Sequence, residues 1–199
     1  MVKIAVDVVL LPSKEMTEIA IAANKELLKS NPAKIVLDKK GCLPHISLAM
    51  GSINESNICE IDKILNSIAK QTALGQLSAI GIDVQEMGNG EKVSCFKIEK
   101  PPVLQTLHAK VMLKMTPYFS NEVRAEMLVN PSEVNESTLY WIKNYPDNSS
   151  FEKFYPHITI GYGEISNLSF PVKFAASKLA LCQLGNECTC RKILVSVNI

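Results

Sequence analysis

Two short segments of the chain repeat one another position by position: Pro44-His45-Ile46-Ser47-Leu48-Ala49-Met50-Gly51 and Pro156-His157-Ile158-Thr159-Ile160-Gly161-Tyr162-Gly163. Proline is only 10 of 199 residues and histidine only 3. Two of the three histidines nevertheless follow a proline and precede an aliphatic and then a hydroxyl residue, which chance explains poorly. Alternate side chains of a strand point to opposite faces, and a two-residue step spans roughly 6.6 Å. His45 and Ser47 therefore share a face, as do His157 and Thr159. The alternation predicts Ile46, Leu48 and Met50, and Ile158, Ile160 and Tyr162, on the opposite, core-directed face. It leaves the small residues Ala49, Gly51, Gly161 and Gly163 beside the polar pairs, with room for a ligand the size of a phosphate.

Two facing imidazoles suit in-line displacement at phosphorus, because one must take a proton from the nucleophile while the other gives one to the departing oxygen. Histidine titrates at about pH 6.5 and serves in either role. The hydroxyls of Ser47 and Thr159 are suited to donate to the non-bridging phosphoryl oxygens, where charge must be held in the transition state. The scheme calls for no metal, and neither copy carries a second ligand at the spacing of a zinc site. Taken singly, each histidine reads as a strand residue with a local hydrogen bond and each hydroxyl as part of an exposed strand face. The duplication is what weighs against that reading.

The remaining chemistry-bearing residues are ordinary by comparison. Tyr155 shares the phase of His157 and Thr159 and is placed to stack on a nucleobase at a cleft rim, or simply to pack there. His108 flanks an apolar helix stripe and reads as a packed ring. Arg124 and Arg191 read as surface residues, and Lys39 and Lys40 as a solvated turn. Cys188-Thr189-Cys190 reads as strand packing, with Cys182 across from it.

Elements to position the two motifs follow from periodicity and punctuation. A strand is expected over 2–11, broken by Pro12 and Ser13, then a helix over 14–29 stopped by Asn31-Pro32. A short apolar run at 35–37 and a loop at 38–42 lead to a strand at 44–50. A helix over 55–73 carries the stripe Ile58, Ile61, Ile64, Leu65 and Ile68. Strands at 77–84 and 92–98 are joined through Gly88-Asn89-Gly90. Pro101-Pro102 opens a third helix that runs up to Pro117. The polar, Asn-rich stretch 120–155 reads as an insertion or lid, with a short helix around 138–144 closed by Tyr145-Pro146. Strands at 157–162, 173–184 and 189–197 finish the chain, the last two joined at Gly185-Asn186.

With 47% hydrophobic and 21% charged residues, the chain can bury one compact domain or two packed lobes. Lys+Arg number 21 against 20 Asp+Glu, a net charge of +1 that supplies no broad attraction to long nucleic acid or to an anionic membrane. The apolar run from Ile4 is interrupted by Asp7 and ends at Pro12, short of the roughly 20 residues of a membrane span. The six cysteines form no CxxC pair and the chain opens on the charged Lys3, so the expectation is reduced thiols in a cytoplasmic protein.

With His45-Ile46-Ser47-Leu48 and His157-Ile158-Thr159-Ile160 both intact, the chain resembles the two-histidine (2H) phosphoesterases, also called the 2′-5′ RNA ligase-like superfamily. Their signature is a pair of His-aliphatic-Ser/Thr-aliphatic motifs. The resemblance implies an α+β, bilobal fold in which two antiparallel sheets with outer helices surround a central cleft, as a single domain over 1–199. It implies catalytic His45 and His157, phosphate-binding Ser47 and Thr159, and no metal or cofactor. The activity it implies is hydrolysis of a 2′,3′-cyclic phosphate at an RNA end or on a nucleotide, to a 2′-phosphate. The alternatives are a 2′-5′ oligonucleotide phosphodiesterase, a 2′-5′ RNA ligase or, from another class, a non-catalytic nucleotide-binding module. The partners expected are an RNA end or small nucleotide and no membrane, and the chain is expected to act as a monomer.

Overall fold

A computed structural model describes residues 2–31, 33–88, 90–120 and 122–199. Its elements are β1 (Lys3–Pro12), α1 (Lys14–Leu27), β2 (Ile46–Asn54), α2 (Ile58–Lys70), β3 (Gln76–Glu86), β4 (Lys92–Ile98), α3 (Pro102–Met115), α4 (Glu136–Asn148), β5 (His157–Tyr162), β6 (Val172–Leu184) and β7 (Cys190–Asn198). The expected α+β class is what is found. Every strand pair is antiparallel, in the order β2-β1-β6-β3-β4-β5, with β7 also on β6. The two sheets, β2-β1-β6-β7 and β6-β3-β4-β5, are joined because they share β6. This 13-residue strand pairs with β3 through its first four residues and with β1 and β7 through the rest. One histidine motif lies at each end of the strand order, on β2 and on β5.

The helices form where apolar spacing and caps predict. Ser13 caps α1 by accepting from the Met16 N–H at 3.4 Å, and Met16, Ala20, Ala23 and Leu27 are its buried face. Pro32, expected to stop this helix, and Asn89, expected in the β3–β4 turn, lie outside the described residues. Ile61, Leu65 and Ile68 are the buried stripe of α2, which begins only after a single 3-10 turn at Glu55–Asn57. Pro102 stands in the first turn of α3, where its missing N–H is no loss.

Three expectations are corrected. The helix placed at 138–144 runs over Glu136–Asn148, started by the Asn135 side chain, which accepts from the Thr138 N–H at 2.8 Å. Pro146 does not close it: the proline removes one hydrogen bond near the C-terminal end, and the Ser149 N–H still reaches the Tyr145 carbonyl at 2.9 Å. The β6–β7 turn is longer than a two-residue hairpin. Positive φ falls on Glu187 and Cys188, while Gly185 is extended with its Cα against Arg191, where a Cβ would lie 2.6 Å from the arginine Cγ. Finally, not all six cysteines are free. A register shift between Gln183 and Leu184 draws Cys190 back toward Cys182, and the two are joined as a disulfide with Cα atoms 5.7 Å apart. Cys42, Cys59, Cys95 and Cys188 are free thiols.

Candidate active site

His45 immediately precedes β2 and His157 opens β5. Each ring turns back on its own chain in the same way: His45 Nδ1 is 2.8 Å from the Leu43 carbonyl, and His157 Nδ1 is 2.9 Å from the Tyr155 carbonyl, both two residues upstream. A carbonyl oxygen only accepts, so Nδ1 holds the proton in both rings and Nε2 keeps its lone pair. His45, Ser47, His157 and Thr159 all line one cleft of about 320 Å³. Burial pushes His45 down to about 4, opposed by the Leu43 carbonyl and reinforced by the field of His157. Burial also lowers His157, opposed by the Tyr155 carbonyl and by Asp83.

The repeat extends to the backbone irregularities. On β2 the register jumps from Val8↔Ala49 to Val9↔Ser47, which leaves Leu48 as the extra residue of a bulge. On β5 it jumps from Ser94↔Gly161 to Cys95↔Thr159, which leaves Ile160 in the equivalent place. Beyond a bulge the alternation changes phase. Met50 and Tyr162, expected in the core, are buried in it and also reach the cleft lining, and Ala49 is buried in the core instead of standing open beside Ser47. The second bulge is held by a buried asparagine. Asn24 Nδ2 donates to the Ile160 carbonyl at 2.7 Å and the Ile35 carbonyl at 2.9 Å, while its Oδ1 accepts from the Leu37 N–H at 2.9 Å. Gly161, with φ of 151°, makes this approach possible, since a Cβ there would lie 2.8 Å from Asn24 Nδ2.

Tyr155 lines the cleft with its ring 5.7 Å from that of His157, and its hydroxyl donates to Asp83 at 3.1 Å. The stretch expected as an insertion or lid supplies a wall. Trp141 and Tyr145, one turn apart on α4, and Phe154 face the cleft. The helix is tied to the β6–β7 turn: the Asn135 N–H and the Thr138 hydroxyl both donate to Asn186 Oδ1, at 3.0 and 2.9 Å, and Asn135 Nδ2 donates to Glu187 at 2.7 Å. His108 is buried and stacks on Phe154 with ring centroids 3.9 Å apart, while its Nε2 accepts from the Phe151 N–H at 2.8 Å. It thereby fastens this wall to α3.

Glu187 is the one charged lining residue among the described residues, apart from the histidines; no lysine or arginine lines the cleft. Lys97, the register partner of His157, is exposed outside the lining. Arg124 pairs with Glu122, and Arg191 is half-buried, donating to the Gly41 carbonyl at 3.1 Å. Among the described residues no three His, Cys, Asp or Glu side chains cluster as metal ligands, and no helix is long and apolar enough to cross a membrane. Sequence reasoning missed Asp7, Asn24 and Trp141. The signal for Asp7 was present, as a lone carboxylate inside an otherwise apolar strand.

No protein-family model and no curated protein matches the chain. Solved structures do. TT0787 of Thermus thermophilus superposes with a TM-score of 0.58 at 15% identity, over 98% of this chain and 97% of that one. LigT of E. coli in its apo form gives 0.51 at 14% identity, over 98% and 97%. The same protein complexed with 3′-AMP gives 0.51 at 13%, over 99% and 98%. The resemblance read from the two motifs thus extends to the whole architecture: the chain has the two-histidine phosphoesterase, or LigT, fold. Fold alone does not define a reaction, which must be argued from the site.

Proposed function

We propose that the chain is a phosphodiesterase that opens 2′,3′-cyclic phosphates, with His45 and His157 as an acid–base pair and Ser47 and Thr159 holding the non-bridging oxygens. The observation that carries this reading is the pair of matched imidazoles on one cleft, each with Nδ1 committed to a carbonyl and Nε2 left for proton transfer. As a water oxygen bonds to phosphorus, one imidazole accepts the water proton. As the ribose oxygen–phosphorus bond breaks, the other imidazole protonates the ribose oxygen. The 2′-phosphate as product follows from the family resemblance.

The lining favours a nucleoside cyclic phosphate over a long RNA end. It offers aromatic walls for one base and no cations to follow a phosphate backbone. That a LigT structure holds 3′-AMP supports a site of this size and chemistry. The same reading takes the chain as one bilobal domain, acting as a monomer in the cytoplasm without metal or cofactor.

The test is release of a phosphomonoester from a nucleoside 2′,3′-cyclic phosphate and from a short RNA ending in one, with EDTA present. Wild type is expected to turn over, and His45→Ala and His157→Ala each to lose on the order of a hundredfold or more. An inert wild type on both substrates overturns the reading and makes 2′-5′ linkages the next substrates. Tight nucleotide binding without turnover, unchanged in His157→Ala, would instead make the cleft a binding module.

A further inference from the structure

A carboxyl group that the acid–base scheme leaves unused lies beneath the first histidine. Asp7 stands in the middle of β1, opposite Met50 of β2 and Cys182 of β6. It has no exposure, and its Oδ2 is 3.8 Å from His45 Nε2. Neither carboxyl oxygen meets a donor in hydrogen-bond geometry. An apolar strand does not bury an unpartnered carboxylate without penalty, so either the group is neutral or something beside it carries positive charge.

The groups that face it narrow the choice. From β2 come His45, the Ser47 hydroxyl and the N–H groups of Leu48 and Ala49. Tyr145 of α4 and Cys188 of the β6–β7 turn hold their own protons tightly, chiefly through burial and further wherever Asp7 is charged. Cys182 is in the disulfide and does not titrate. His157, the other titrating group near His45, lies across the cleft. Among these neighbours only His45 can carry a positive charge next to Asp7. Its Nδ1 proton is spent on Leu43, so the proton it gains goes to Nε2. At 3.8 Å the contact is electrostatic rather than a hydrogen bond, which leaves the Nε2 lone pair free for the cleft. Burial pushes Asp7 well above the carboxylate range, against the pull of the Ser47 hydroxyl and the Ala49 and Leu48 N–H groups, and pushes His45 down to about 4, so burial favours the neutral form of both groups and the pair's shared proton on the Asp7 side.

We propose that Asp7 is the counter-charge that lets His45 carry a proton in this buried site, so that the pair holds one proton between them and His45 acts as the general acid, with His157 as the base. The assignment rests on the two-histidine reading. An anionic phosphate entering the cleft favours the imidazolium, and the proton moves from Asp7 to His45 Nε2. His157 Nε2 then takes a proton from water as the water oxygen bonds to phosphorus. The ribose oxygen–phosphorus bond breaks, its electron pair goes to the ribose oxygen, and that oxygen takes the His45 proton. Asp7 is left as a buried carboxylate with a neutral neighbour. It regains one proton from solvent as His157 loses one, and the resting state returns. Asp7 acts through His45 and is a positioning residue.

The experiment is the pH profile of kcat/KM for a nucleoside 2′,3′-cyclic phosphate in wild type and Asp7→Asn, whose amide has the same shape but takes no negative charge. The alkaline limb reports the group that must be protonated. In Asp7→Asn that limb is expected to fall by a pH unit or more and the acidic limb to stay, which means a tenfold or greater loss at pH values above the wild-type alkaline limb. An alkaline limb that does not move, or an acidic limb that moves in its place, overturns the proposal. If Asp7→Asn does not fold, NMR of wild type decides. The Asp7 carboxyl carbon and the His45 ring are expected to titrate in step, and an Asp7 that titrates on its own in the ordinary carboxylate range overturns the assignment. His45→Ala and His157→Ala at wild-type rates would sink the two-histidine reading itself. Their loss of activity beside an unshifted Asp7→Asn profile would sink only the role of Asp7.

Discussion

His45 and His157 occupy equivalent places in a repeated motif and make equivalent Nδ1 contacts, yet their surroundings differ. His45 lies over a buried carboxyl, whereas His157 lies beside the ring of Tyr155, whose hydroxyl is held by Asp83. The hydroxyls differ as well, since Ser47 also acts on Asp7, whose pKa burial raises, and opposes part of that rise. If both hydroxyls hold transition-state charge, Ser47→Ala and Thr159→Val should each lower kcat by about a hundredfold and change KM far less. Steady-state kinetics on a cyclic nucleotide checks this, and a raised KM at unchanged kcat would mean that they only bind the ground state. At this scale the sequence was readable wherever residue type and duplication reinforced each other, which is why the histidines and hydroxyls stood out. Asp7 did not, because a lone carboxylate in an apolar strand signals a buried charge without saying what it serves, and only the register puts it under a neighbour's ring.

Alternation along β2 and β5 correctly pairs each histidine with its hydroxyl residue, and fails two residues later. A bulge is a property of two paired strands, and nothing within Leu48 or Ile160 announces it. Helix positions are legible from their stripes, whereas the ends of α4 are not: Asn135 is one of many asparagines in its stretch until it caps the helix, and Pro146 signals a stop that the last turn does not obey. The second bulge depends on Asn24, whose three hydrogen bonds join α1 to the Ile160 carbonyl and to the 35–37 segment lining the cleft. Asn24→Ala leaves two carbonyls and one N–H without their partner, so urea unfolding should show a loss of about 2–4 kcal/mol, at roughly 1–3 kcal/mol for each buried group left unpaired and partly rehydrated. Gly161→Ala strains the same contact from the other side. The double variant should therefore be less destabilised than the two single losses added together. Full additivity, or a loss under about 0.5 kcal/mol in Asn24→Ala, would show that the bulge stands without the asparagine.

At the scale of the molecule, one long strand does what no local pattern predicts. Because β6 pairs with β3 at its start and with β1 and β7 thereafter, the two halves remain one ladder while β2 and β5, at opposite ends of the strand order, both contribute to the same cleft. The motifs foretold a shared cleft; the strand that makes it shared lay in the long apolar stretch toward the C-terminus, where pairing partners cannot be read from spacing. The near-neutral whole, at +1, and a lining without lysine or arginine bear together on how substrate arrives. A protein that follows a single-stranded backbone with Z cationic contacts loses affinity with a log–log salt slope of about −0.7Z, because each contact releases condensed counterions. On the proposed reading the grip on phosphate falls to two hydroxyls and one imidazolium, so kcat/KM for a cyclic nucleotide should change by less than about threefold between about 0.05 and 0.2 M salt. Lengthening the substrate to an RNA of several nucleotides should neither raise kcat/KM nor steepen the slope. A steep slope that appears only with the longer RNA would mean that exposed lysines beyond the cleft, Lys97 first among them, track its backbone, and the RNA end would then displace the mononucleotide as the substrate this fold serves.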